Sequence, residues 1–144
     1  MNRRSKRTNI MKCHSQLLTI TLLLVVLAAN SFAADRKQLA AAVAEVDANL
    51  KAAVGKQYDE TIEHEFSAKY LSSVRQCKQS TSSGKNPSSF DILLKLDTNG
   101  KVISALVDPE TPLAVCSRTA LMDQSFSPPT HADYWVNIHM QFKH

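Results

Sequence analysis

The residues after position 33 whose type and setting could serve covalent, acid–base or metal chemistry are few: Cys77 and Cys116, the run Glu63-His64-Glu65, the set Asp123, His131 and Asp133, and the pair His139 and His144. Catalysis needs such groups to converge, and the usual short arrangements are missing. There is no Gly-rich phosphate loop, no Gly-x-Ser-x-Gly, no His-Glu-x-x-His and no Cys-x-x-Cys. Ile62 and Phe66 lie four apart around Glu63-His64-Glu65, so a helix burying them turns much of the trio to solvent. His131 and Asp133 follow Ser127-Pro128-Pro129 and read as turn residues, which join Asp123 in a hydrolytic site only if the fold gathers them. His139 and His144 are five apart and would point to opposite faces of one strand, a poor chelate. We therefore expect no enzyme activity, no metal and no cofactor.

Residues 1–33 set the compartment. A basic stretch (Arg3, Arg4, Lys6, Arg7, Lys12) precedes an apolar run from Leu17 to Ala29, and Ser31-Phe32-Ala33 supplies a small-residue cleavage site. That order is a signal peptide, expected to be cut after Ala33. The run has thirteen residues, whereas a spanning helix takes about 20, so no stable membrane anchor is expected after cleavage. The leader holds five of the seventeen Lys and Arg residues and none of the thirteen Asp and Glu. Residues 34–144 thus carry a net charge near −1, and no basic stripe with interleaved aromatics remains to bind nucleic acid. The expected location is the periplasm. There an even pair of cysteines in a small domain is most simply a disulfide, Cys77 to Cys116, the alternative being two unpaired buried thiols. Both lie on apolar helix faces, which argues against a nucleophile.

The elements follow from periodicity. Leu39, Val43, Val46, Leu50 and Val54 make one apolar stripe on a helix over Asp35–Val54, stopped by Gly55. This sets apart an N-terminal amphipathic segment, residues 34–57, from a domain over 58–144. Tyr58, Ile62, Phe66, Tyr70 and Val74 recur every fourth residue in a second helix that carries Cys77 near its end. Gln79–Ser89 has no apolar residue and reads as a loop. Phe90, Ile92, Leu94 and Leu96 alternate in a strand, Asp97-Thr98-Asn99-Gly100 makes a tight turn, and a return strand runs from Lys101 to about Val107. Thr111-Pro112 starts a third helix, predicted to reach about Ser125 before Pro128-Pro129. In the last strand Tyr134, Val136, Ile138, Met140 and Phe142 alternate with Trp135, Asn137, His139, Gln141 and Lys143. The fold class is α+β: a three-stranded antiparallel sheet with helices packed on one face, preceded by an extra N-terminal helix.

A sheet of three strands has free edges, and the polar stripe Trp135, Asn137, His139, Gln141 and Lys143 is the candidate partner-binding surface, with Trp135 as an aromatic anchor. The alternative is that the first helix covers this face and Trp135 packs beneath it. That helix is otherwise left to pair with a second copy or hold a partner.

Residues 90–143 resemble the C-terminal periplasmic domain of the TonB/TolA family. The resemblance is carried by the strand Phe90–Leu96, the turn Asp97-Thr98-Asn99-Gly100-Lys101-Val102, and Asp108-Pro109 leading into a helix with Leu113, Cys116 and Leu121. It continues through Phe126-Ser127-Pro128-Pro129 and Ile138 to Phe142-Lys143. A cysteine at the start of that helix and a final Phe-Lys bring it nearer to TolA, and the helix Tyr58–Cys77 takes the place of the family's leading helix. Members are anchored in the inner membrane and reach across the periplasm by a long spacer; here the leader is short and the spacer is not seen. The resemblance implies a non-enzymatic module that binds an envelope or periplasmic protein by strand addition at a sheet edge. A function of another class, an inhibitor or immunity-type protein blocking an exported toxin or hydrolase, fits the same composition.

Overall fold

The computed structural model describes residues 35–81 and 88–142. The expected leader, residues 82–87 of the expected loop, and Lys143 and His144 lie outside the described residues. The chain divides into two units, Met1–Leu39 and Ala40–His144. Residues 35–39 of the first are helical, and the second holds the sheet with the helices packed on it.

Helix α1 occupies 35–49, α2 is Ala53–Lys69 and α3 is Leu71–Ser80. Two helices were expected here and three are found. The first break is at Leu50–Ala52, before Gly55 rather than at it. Gly55 sits inside α2 and is buried, because the chain turns so sharply that the Asn49 carbonyl lies against it. A Cβ at residue 55 would stand 2.0 Å from that oxygen, so this glycine permits a close approach and does not end a helix. The second break is at Tyr70, whose backbone (φ −119°, ψ −13°) closes α2 and opens α3. The unbroken four-residue stripe concealed it, since both helices bury the same face: Ile62 and Phe66 from α2, Val74 and Cys77 from α3.

Strands β1 (Ser89–Leu96), β2 (Val102–Asp108) and β3 (Tyr134–Gln141) form an antiparallel sheet in the order β2-β1-β3. The β1–β2 turn is built by Asp97. Its Oδ1 accepts from the Asn99 and Lys101 amides at 2.8 and 2.9 Å, and Gly100 takes the left-handed φ of 81° that the turn demands. Helix α4 (Pro112–Leu121) begins as its sequence predicts, with Pro112 in the first turn and the Ala114 amide donating to Thr111 Oγ1 at 3.3 Å. It ends four residues earlier than expected. Asp123 turns to φ 62°, and 124–126 leaves the helix to pair with the turn: Val102 N–H donates to Gln124 O at 2.8 Å and Phe126 N–H to Gly100 O at 2.9 Å. That docking buries Phe126, which a longer helix would carry away from the core.

Phe90, Ile92, Leu94 and Leu96 of β1 and Tyr134, Val136, Ile138 and Met140 of β3 share a core with α2, α3 and α4. Cys77 is disulfide-bonded to Cys116 across α3 and α4, with Cα atoms 5.7 Å apart. Closing a loop of 39 residues removes about 4 kcal/mol of chain entropy from the unfolded state. Among the described residues no helix is long and apolar enough to cross a membrane.

Candidate binding edge along the last strand

The second face of the sheet carries Asp91, Leu93 and Lys95 from β1 beside His139, Asn137 and Trp135 from β3, by the strand register. Leu93 and Trp135 are buried there, as are Ala42 and Val46 of α1. Val46, Asn49 and Leu50 line a tight crevice with Trp135 and Val136. Helix α1 therefore covers part of this face, and Trp135, 6% exposed, is packed beneath it. Its reading as an exposed anchor is corrected: an indole needs apolar cover, and Val46 and Leu50 of that crevice supply it. Asn137 is half-buried, while His139 and Gln141 are exposed. Lys143, the last residue of the expected binding stripe, is outside the described residues.

Hydrogen-bond parity decides which backbone groups the edge offers. Phe142 N–H donates to Ser88 O at 2.9 Å, so Tyr134, Val136, Ile138 and Met140 turn their N–H and C=O toward β1 in the antiparallel ladder. Trp135, Asn137, His139 and Gln141 turn theirs outward. Asn49 Nδ2 donates to the outward Trp135 carbonyl at 3.3 Å and closes the strand edge at that end. No described residue pairs with the outward backbone groups of Asn137, His139 and Gln141.

The other edge is obstructed at its start. The register slips between Lys95 and Leu96, leaving Ile103 as an extra residue in β2, a bulge of the kind that disrupts pairing. The start of β2 is further occupied by 124–126, through the Val102–Gln124 bond and a bridge between Lys101 and Ser125.

Beside the open edge lies a groove of about 340 Å³ lined by Glu63, Phe66, Ser67 and Leu71 of α2 and α3 and by Ile138–Gln141 of β3. On the opposite face Asp91 organises the polar groups, its Oδ1 accepting from Asn137 Nδ2 at 3.2 Å and lying 2.9 Å from His139 Nδ1. Asn137 Oδ1 is buried with no partner among the described residues. Phe142 stacks on Phe90, with Lys78 Nζ 4.9 Å from its ring centroid, at the far end of the strand.

The remaining titratable residues are engaged locally. Glu63 and His64 face solvent as expected, but Glu65 turns inward. It accepts from the Ser127 hydroxyl, from Ser127 N–H at 3.1 Å and from Lys69 Nζ at 3.2 Å. Burial alone would raise its carboxyl; those hydrogen bonds outweigh it and hold the group below the usual carboxylate range. Tyr58 and Tyr70 donate to the Ser127 and Ser125 carbonyls at 2.6 and 2.5 Å, so α2 and Tyr70 clamp the loop after α4. Asp123 pairs with Lys101 at 2.9 Å and Asp133 with Lys95 at 3.0 Å, while His131 contacts the Ala132 carbonyl. The three are not gathered into a site. Among the described residues no group of three His, Cys, Asp or Glu is placed to hold a metal.

The clamp at Glu65 and the cap at Asn49 were missed from sequence. Nothing local marks either, since Glu65 reads as one of a solvated trio and Asn49 as a polar residue within the first helix, beside its apolar stripe. Comparison with family models, with curated proteins and with solved structures finds no match.

Proposed function

We propose that this protein is a non-enzymatic binding module of the periplasm, of TonB/TolA C-terminal type, that takes an extended segment of an envelope partner as a fourth strand on β3. The observation that carries the reading is the outward backbone of Asn137, His139 and Gln141, unpaired among the described residues, beside an open groove. Main-chain bonds at such an edge supply affinity, and alternating side-chain pockets supply selectivity. The order of motifs from Phe90 to Phe142 supports the family, and the leader supports the compartment.

His139→Pro tests it. The His139 N–H points away from β1, so proline removes a donor from the free edge without removing one from the existing ladder. Mature protein and variant are used to capture partners from a periplasmic extract, and amide shifts are recorded with the captured protein. Shifts centred on 137–141 and their loss in the proline variant are expected. A partner held equally by both proteins, or shifts confined to other surfaces, refutes strand addition at β3.

A further inference from the structure

Helix α2 runs alongside β3, and the two keep step. Four residues of helix advance about 6 Å and two residues of strand about 6.7 Å. Asp59 accordingly shares a crevice with Tyr134, Trp135 and Val136, and Glu63 and Ser67, one and two turns later, share the groove with Ile138–Gln141. A strand added to β3 would point every second side chain toward α2, at the positions opposite Ile138 and Met140. Beside Met140 it would meet Phe66 and Leu71; beside Ile138 it would meet Glu63.

The side of α2 that faces β3 is acidic, with Glu63 lining the groove and Asp59 the crevice before it. Asp59, Glu60 and Glu63 form no ion pair among the described residues, unlike Glu65 with Lys69 one turn on. Burial raises the Asp59 carboxyl, and the charges of Glu63 and Glu60 raise it further, the mark of carboxylates that repel one another. Among the described residues no Lys or Arg lines either the crevice or the groove.

Resting on the strand-addition reading, we infer that the segment accepted at β3 is cationic and amphipathic in a fixed register, with Lys or Arg opposite Ile138, beside Glu63, and an apolar residue opposite Met140, two positions away. The Asn49 cap on Trp135 ends the docked stretch at that side, so recognition spans about five residues. Charge complementarity here selects the partner, and the ladder holds it.

The probes are three blocked heptapeptides that read the same in both directions: Thr-Leu-Thr-Lys-Thr-Leu-Thr, and the same peptide with Gln or Glu replacing Lys. Each is titrated into the ¹⁵N-labelled full-length protein at low salt while the amides of Asn137, His139 and Gln141 are followed. The Lys peptide should bind roughly tenfold more tightly than the Glu peptide, with Gln between, and Glu63→Lys, an exposed site, should invert the order. Equal affinities with shifts at the three amides would overturn the charge rule and leave strand addition standing. No shift at those amides with any peptide would overturn both.

Discussion

Replacing Gly55 by alanine tests the corner that sets α1 against the sheet. In an ordinary helix interior, Gly to Ala stabilises by about 1 kcal/mol. Here the new Cβ would stand 2.0 Å from the Asn49 carbonyl oxygen, 2.7 Å from its carbon and 3.3 Å from the Tyr134 hydroxyl. The first two neighbours are backbone and cannot swing aside. Relief of more than ~1 Å is needed to reach ordinary contact distance, so the 50–52 turn must open. That strains the bonds from Lys51 N to Ala48 O and from Ala52 N to Asn49 O, at 3.3 and 3.2 Å, and pulls Asn49 from Trp135. At about 1 kcal/mol for each of these three hydrogen bonds, plus overpacking of about 1–3 kcal/mol, less the helix gain of about 1 kcal/mol, the net loss is about 3–5 kcal/mol. For a domain of this size that lowers Tm by ~10 °C or more. Urea and thermal unfolding followed by far-UV circular dichroism would measure it, and the single tryptophan reports the corner directly by a red-shifted emission. An alanine variant as stable as the parent, with unchanged emission, would refute the close packing of Asn49 on Gly55.

Val46→Asp should free Trp135 on the second face of the sheet, giving a red-shifted emission and greater acrylamide quenching with the β-sheet signal retained; unchanged quenching would show that α1 does not cover the indole. Removing the disulfide by Cys77→Ala with Cys116→Ala should cost about 4 kcal/mol, measured by urea unfolding, and reduction of the parent should reproduce most of it. Glu65 is held below the ordinary carboxylate value of 4.5, so its contribution is present above that pH and fades as pH falls through the lower folded value. Glu65→Gln should therefore unfold at a lower denaturant concentration than the parent at pH 7, with the gap narrowing as the pH falls below 4.5; a pH-independent gap would contradict the assignment. Asp59→Asn should stabilise the protein at neutral pH, because its raised carboxyl is disfavoured as an anion in the fold; the gain, read from Tm, should shrink as pH falls toward the normal Asp range and the parent carboxyl is protonated.

What the sequence determined by itself is what depends on near neighbours. The β1–β2 turn rests on Asp97 and Gly100, the start of α4 on Thr111 and Pro112, and the faces of β1 and β3 on strict alternation, because each is set by dihedral preference or by a period of two. The same alternation placed Ile92, Leu94, Val136 and Ile138 in the core, and the helical stripe placed Cys77 on a buried face toward Cys116. Tertiary structure decided the rest. The stripe from Tyr58 to Val74 cannot reveal a break at Tyr70, since both helices bury the same side. The end of α4 depends on Phe126 docking against Gly100, a contact between segments some twenty-five residues apart. Whether Trp135 faced a partner or the protein's own first helix was open in sequence, because an aromatic on a polar stripe satisfies either; the crevice it shares with Val46 and Asn49 settled the matter. The choice of edge is equally non-local. Alternation names the side chains on each face, but only the pairing of Ser88 with Phe142, the Asn49 cap, the Ile103 bulge and the docked 124–126 segment determine which backbone groups remain open.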